Sequence, residues 1–175
     1  ELSLSRTALR ALAEAEKSLE FVTLYGRFAL DPEALLSICE QLGTQISFFI
    51  EPLSEENLPA DLSEQQLELI RDIFARELPV FEIRIFSGDD LIRDLSVEIT
   101  ILLPYRGENQ EDAIVWRVEP DGSTVEYPGE QDSELGGVVF QPDHLSVYAI
   151  GYRAEEPSQP EEPSQPVEPT PEPES

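Results

Sequence analysis

Alternation of apolar and polar side chains between residues 79 and 153 constrains the fold more than any other feature of this chain. Phe81, Ile83 and Ile85 alternate with Glu82, Arg84 and Phe86. Val97, Ile99, Ile101 and Leu103 alternate with Ser96, Glu98, Thr100 and Leu102, and Ile114, Trp116 and Val118 face one way. A period of two sets one face of a strand against a core. Ser87-Gly88-Asp89 and Pro120-Asp121-Gly122 read as turns, Pro104 closes a strand, and residues 123–127, 138–140 and 146–151 supply the remaining runs. Six or so strands at this spacing predict a small antiparallel β-sandwich.

Residues 1–78 read differently. Ser5 is placed to cap a helix with Ala8, Leu9, Leu12 and Ala13 on one face. Leu19, Phe21 and Thr23 then alternate with Glu20, Val22 and Leu24. Tyr25-Gly26 turns the chain, and residues 27–30 return as the second arm of a hairpin. Asp31-Pro32 starts a second helix, because the carboxylate caps free amides and proline loses nothing at the first helical position. Its stripe is Leu35, Cys39 and Leu42, with Leu36 beside it, and Gly43 stops it. Ile46, Phe48 and Ile50 mark a strand. Ser63 with Gln66 makes a capping box, and Leu62 can staple onto Leu67. The third helix buries Leu67, Ile70 and Phe74 or Ile73, and Pro79 ends it. The expected fold is α+β: a helix-containing lobe at 1–78 packed on the sandwich lobe at 79–153. Neither half is large enough to stand comfortably alone, so one cooperative unit ending near Arg153 is expected.

Residues 154–175 hold seven Pro and seven Glu, and the hexamer Glu-Glu-Pro-Ser-Gln-Pro occurs at 155–160 and again at 161–166. Proline removes backbone donors, the carboxylates repel, and too little apolar surface is present to offset ordering entropy. A disordered, extended Pro/Glu-rich linker of the polyproline-II kind is expected.

The whole chain carries a formal charge of −26. That charge disfavours nucleic acid and anionic membranes as partners. Apolar runs are too short for a membrane-spanning helix or a signal peptide. One Cys excludes an internal disulfide framework and a thiolate zinc cage. With no Met, even at position 1, the chain reads as a piece of something longer. No glycine-rich phosphate loop and no second His are present, so no cofactor is expected.

The run ending Ile101-Leu102-Leu103-Pro104-Tyr105, the segment Ile114-Val115-Trp116-Arg117-Val118, Asp121-Gly122 and the closing His144-Leu145-Ser146-Val147-Tyr148-Ala149-Ile150-Gly151-Tyr152 together resemble an uncharacterised module. It is found in large secreted and cell-wall proteins of Gram-positive bacteria, which often carry S-layer homology repeats. Leu145 stands where Phe is common in that module and Ile150 where Val is common. The resemblance implies an extracellular or cell-surface location and neighbouring domains of the same protein as partners. On it rest two expectations, a non-catalytic spacer holding other domains away from the wall and an adhesive module for a host protein or glycan; a third, a self-cleaving domain, has a different basis. The spacer is preferred, because few aromatics lie outside the alternating core positions.

The self-cleaving reading rests on His144-Leu145-Ser146, which resembles the cleavage site of GAIN-type domains. That resemblance implies His144 taking the proton of Ser146, whose oxygen attacks the Leu145 carbonyl to give an ester that water hydrolyses. Strain at the turn is required. In the plainer reading, Ser146, Tyr148 and Ile150 alternate along a closing strand and His144 is a turn residue. Three acidic runs have the oxygen ligands Ca²⁺ favours: Asp89, Asp90 and Asp94; Glu108, Glu111 and Asp112; Glu130, Asp132 and Glu134. None has the spacing of a dedicated loop, and solvated loops are expected. Cys39 and Trp116 are expected in the core.

Overall fold

The computed structural model describes residues 2–40, 43–105 and 113–152. Leu42, the acidic run Glu108, Glu111 and Asp112, and the Pro/Glu-rich segment lie outside the described residues. Each helix begins at a residue that satisfies amides with no partner in the first turn. Ser5 Oγ accepts from Ala8 N–H at 3.1 Å ahead of α1 (Arg6–Glu14), and Asp31 Oδ1 accepts from Ala34 N–H at 2.8 Å ahead of α2 (Pro32–Glu40). At α3 (Glu64–Ala75) Ser63 and Gln66 cap each other reciprocally, at 3.1 and 3.0 Å.

The strands are β1 (Leu2–Ser5), β2 (Leu19–Thr23), β3 (Gly26–Leu30), β4 (Gln45–Pro52), β5 (Val80–Ser87), β6 (Asp90–Ile92), β7 (Thr100–Pro104), β8 (Ala113–Val118), β9 (Thr124–Pro128), β10 (Glu130–Asp132), β11 (Gly137–Phe140) and β12 (Val147–Tyr152). With the three helices they make an α+β fold whose described strand pairs are all antiparallel. A seven-stranded sheet has the order β1-β4-β5-β12-β8-β9, with β6 also on β5; a five-stranded sheet runs β10-β11-β7-β3-β2. Strands from both sides of residue 79 enter each sheet, so that sequence boundary is not a boundary between sheets. β6 and β12 share one edge of β5, β6 at Ile85 to Ser87 and β12 at Val80 to Glu82.

The two sheets face each other across a core that includes Phe28, Phe48, Ile83, Ile101, Phe140 and Tyr148. α1 and α2 add Leu9, Leu35, Ile38 and Cys39 to it. A smaller cluster lies on the other face of the seven-stranded sheet, where Ile70 and Ile73 of α3 pack on Val80, Val118, Val147 and Ala149. Alternation therefore buries β12 on both faces, Tyr148 and Ile150 toward one cluster, Val147 and Ala149 toward the other. Trp116 is partly buried against the smaller cluster, and its ring lies so close to Gly151 that a side chain there would collide with it.

β7 begins at Thr100, three residues later than the alternation from Val97 suggests. Ser96 takes a left-handed φ of 58°, and its N–H is held by Asp94 Oδ1 at 3.0 Å. Leu95 and Ile99 are nevertheless buried, their amides donating to the Asp143 and Pro142 carbonyls at 3.0 Å each. Gly122 (φ 81°) supplies the positive φ of the turn between β8 and β9, whose amide donates to Glu119.

Candidate functional site

The segment leading into β12 passes through the gap between β6 and β12 along β5. His144 bridges Asp94, Leu145 N–H donates to the Arg93 carbonyl at 2.7 Å, and Ile83 N–H donates to the Ser146 carbonyl at 3.0 Å. Leu145 is buried in the larger core. The Tyr148 hydroxyl donates to the His144 carbonyl in a short contact. Burial pushes that phenol far above its ordinary value, so it remains a donor at every physiological pH.

His144 and Ser146 line one cleft of about 510 Å³, with the start of α3, the outer face of β5 and Glu119 around them. Among the described residues no hydrogen bond joins the His144 ring to the Ser146 hydroxyl, and positive φ outside glycine occurs only at Glu16, Glu77 and Ser96. The N-to-O shift calls for a base in contact with the hydroxyl and a strained turn. This arrangement has neither: His144-Leu145-Ser146 is stitched into main-chain bonds on both sides.

The charged groups of the cleft are mutually paired. Glu82 and Glu51 stand directly opposite each other on β5 and β4. Arg84 relieves their repulsion, reaching Glu51 Oε2 at 2.9 Å and Glu82 Oε2 at 3.5 Å, while its guanidinium lies over Phe49 and Phe86 at 5.4 and 6.0 Å. Burial raises the Glu82 carboxyl above its ordinary value, with Arg84 opposing. Arg93 reaches Asp61 at 3.2 Å. Sequence reading missed this cluster, although the alternation places Glu82 and Arg84 together on the face of β5 opposite Ile83 and Ile85. That α3 and the turn after β8 would wall the face in is a tertiary fact with no local signal.

A second cleft, of about 550 Å³, lies where β9 passes to β10 and is lined by Glu98, Tyr127, Pro128, Phe140 and Asp143 among others. Arg117 holds Glu119 in a short pair and donates to the Tyr127 hydroxyl at 2.8 Å; that hydroxyl donates onward to Asp143 Oδ1 at 3.4 Å.

The acidic runs are spent on local structure. Asp94 Oδ1 holds the Ser96 amide at 3.0 Å, and Asp132 Oδ1 accepts from Leu135 N–H at 2.9 Å. No group of three or more His, Cys, Asp or Glu among the described residues is arranged to hold a metal ion. Cys39 is fully buried, with its thiol pushed up by burial and Sγ 3.7 Å from the Arg6 carbonyl. No described helix is long and apolar enough to cross a membrane. Comparison with family models, curated proteins and solved structures returned no match to the chain.

Proposed function

We propose that this chain is a non-catalytic structural module of a bacterial cell-surface protein, holding neighbouring domains away from the wall. The observation that carries the reading is the position of β12. The strand leading directly to the Pro/Glu-rich segment sits inside the seven-stranded sheet, between β5 and β8. Tension applied along β12 through that segment would load the ladders to β5 and β8 on both sides of it. An acidic, proline-rich linker after such a strand suits a spacer. The pairing of Arg84, Arg93 and Arg117 with carboxylates supports a surface kept soluble rather than poised for chemistry.

The cleft beside His144 favours a second reading, an adhesive module for a host protein or glycan, since concave sites of this size hold small ligands. Stretching tandem copies of the full chain in single-molecule experiments, with a glycan array and host-extract capture in parallel, separates the two. A spacer unfolds in one step per copy and captures nothing saturably. Stepwise failure at low force, or saturable micromolar binding, overturns the spacer reading. An intact chain by mass spectrometry, unchanged in Ser146→Ala, is expected on either reading; a fragment starting at Ser146 would restore self-cleavage.

A further inference from the structure

We propose that the free edge of β2 is a self-pairing surface on which a second copy of this chain docks antiparallel about Phe21. β2 ends the five-stranded sheet, with β3 on one side and no strand on the other among the described residues. Leu24 and Tyr25 form a two-residue turn between Thr23 and Gly26, and the ladder alternates from there. That alternation directs the N–H and C=O groups of Glu20 and Val22 away from β3, toward the open edge. These two residues can therefore exchange main-chain bonds with their counterparts in a second copy. Glu20 then lies opposite Val22 of the second copy, and Phe21 opposite Phe21.

Three observations favour a second copy as the occupant. The first is apolar exposure: Val22 is 69 % exposed, Leu24 84 % and Tyr25 41 %, three of the seven large apolar side chains exposed among the described residues. The second is the lack of protection that edge strands ordinarily carry. β9 has Glu126 and Pro128 and β10 has Glu130 and Asp132; β1 carries no such residue but is only four residues long, whereas the five-residue β2 has no proline and only Glu20, which already pairs with Arg27. The third is charge. The hairpin that carries the edge, residues 19–30, holds only Glu20 and Arg27, which pair with each other, a net of zero in a chain of −26. Two copies joined there set no like charges opposite one another, since the two-fold register places Glu20 against Val22. A five-residue edge is small beside the roughly 1,200–2,000 Å² that stable complexes bury, so the dimer is weak and forms at high local concentration.

The test is sedimentation equilibrium of the full chain over a concentration series at low and high salt, with amide exchange read at Glu20 and Val22. The mass should rise toward that of a dimer with concentration, and more steeply at high salt, because salt screens the long-range repulsion of two strongly acidic bodies. Edge amides should slow in exchange as the dimer fills. Val22→Glu should weaken association by about tenfold by setting carboxylates opposite each other. It should also leave the fold intact, since the new carboxylate faces Arg27 across the hairpin. Adding Glu20→Arg to Val22→Glu should restore association by making the opposed pairs complementary. A chain that stays monomeric at every concentration and salt, association indifferent to Val22→Glu, or association that weakens with salt as for a basic partner, overturns the proposal.

Discussion

The two faces of the seven-stranded sheet each carry an apolar cluster, but they differ in how the chain closes them. The inner face meets a second sheet and two helices, and there Phe48 packs on Phe21 and Phe28 of the five-stranded sheet, the three rings 4.9 to 5.5 Å apart. The outer face meets α3 and the loops on either side of it, and its cluster reaches a rim of half-buried groups: Leu58, Leu62, Leu69, Phe74 and Trp116. One strand, β12, contributes to both. On this packing the inner cluster is expected to set global stability, while the outer one shapes the cleft and is expected to open at lower cost.

The largest effect should come from the inner face. Phe48→Ala removes the ring that Phe21 and Phe28 pack on and should cost about 3–5 kcal/mol in denaturant unfolding. Ile70→Ala on the outer face should cost about 2–3 kcal/mol, at the low end for a buried aliphatic, because the rim can relax into the space. A larger loss at Ile70 than at Phe48 would break the ranking. Native-state exchange sharpens it: α3 amides should open below the global free energy and β12 amides only with it.

What the sequence made legible follows the same division. Period-two runs and the three capping signals at Ser5, Asp31 and Ser63 are local, and the helices start there. β1, β6 and β10 have no local signal: three or four residues without an unbroken apolar run such as residues 138–140 of β11 leave too short a pattern to separate from loop. The alternation at Val97 was read as strand three residues early, since Ile99 is buried by an irregular segment held through main-chain bonds to Pro142 and Asp143. Which sheet a strand joins is not written locally at all. The hairpin β2–β3 and the strand β4 look alike in pattern, yet one pairs with β7 and the other with β5. At the cleft, His144-Leu145-Ser146 is legible as a motif, whereas Arg93 and Ile83, the main-chain partners of Leu145 and Ser146, lie about fifty to sixty residues earlier in the chain.

A smaller effect is expected at the N-terminus of α3. Ser63 caps the helix and its hydroxyl also donates to the Pro120 carbonyl at 2.5 Å, tying α3 to the turn after β8. Ser63→Ala should cost about 1 kcal/mol. It should also speed exchange in the first turn of α3 without touching β12, which a purely global loss would not do.

The smallest effect is in pH dependence, and it tests the open rim directly. Glu82 pairs in register with Val147 on the face that α3 partly covers, and burial raises its carboxyl above 4.5 while Arg84 and Arg93 pull it down and Asp61 and Glu51 push it up. A carboxyl raised on folding favours its protonated form in the native state. Its contribution to stability is therefore complete below pH 4.5 and is lost as pH rises through the raised value. Asp121 has the opposite sign: Ser123 donates to it from its hydroxyl and its amide at 2.5 and 2.9 Å. Its carboxyl is lowered, and its contribution is lost as pH falls. Glu82→Gln should raise the melting temperature at neutral pH, since no charge is left to desolvate, and the two melting curves should converge in acid. Asp121→Asn should lower it at neutral pH and converge likewise. If Glu82→Gln instead lowers stability at neutral pH, the Arg84 pair outweighs burial there, and the rim is more solvated than the inner face by a wider margin than its packing implies.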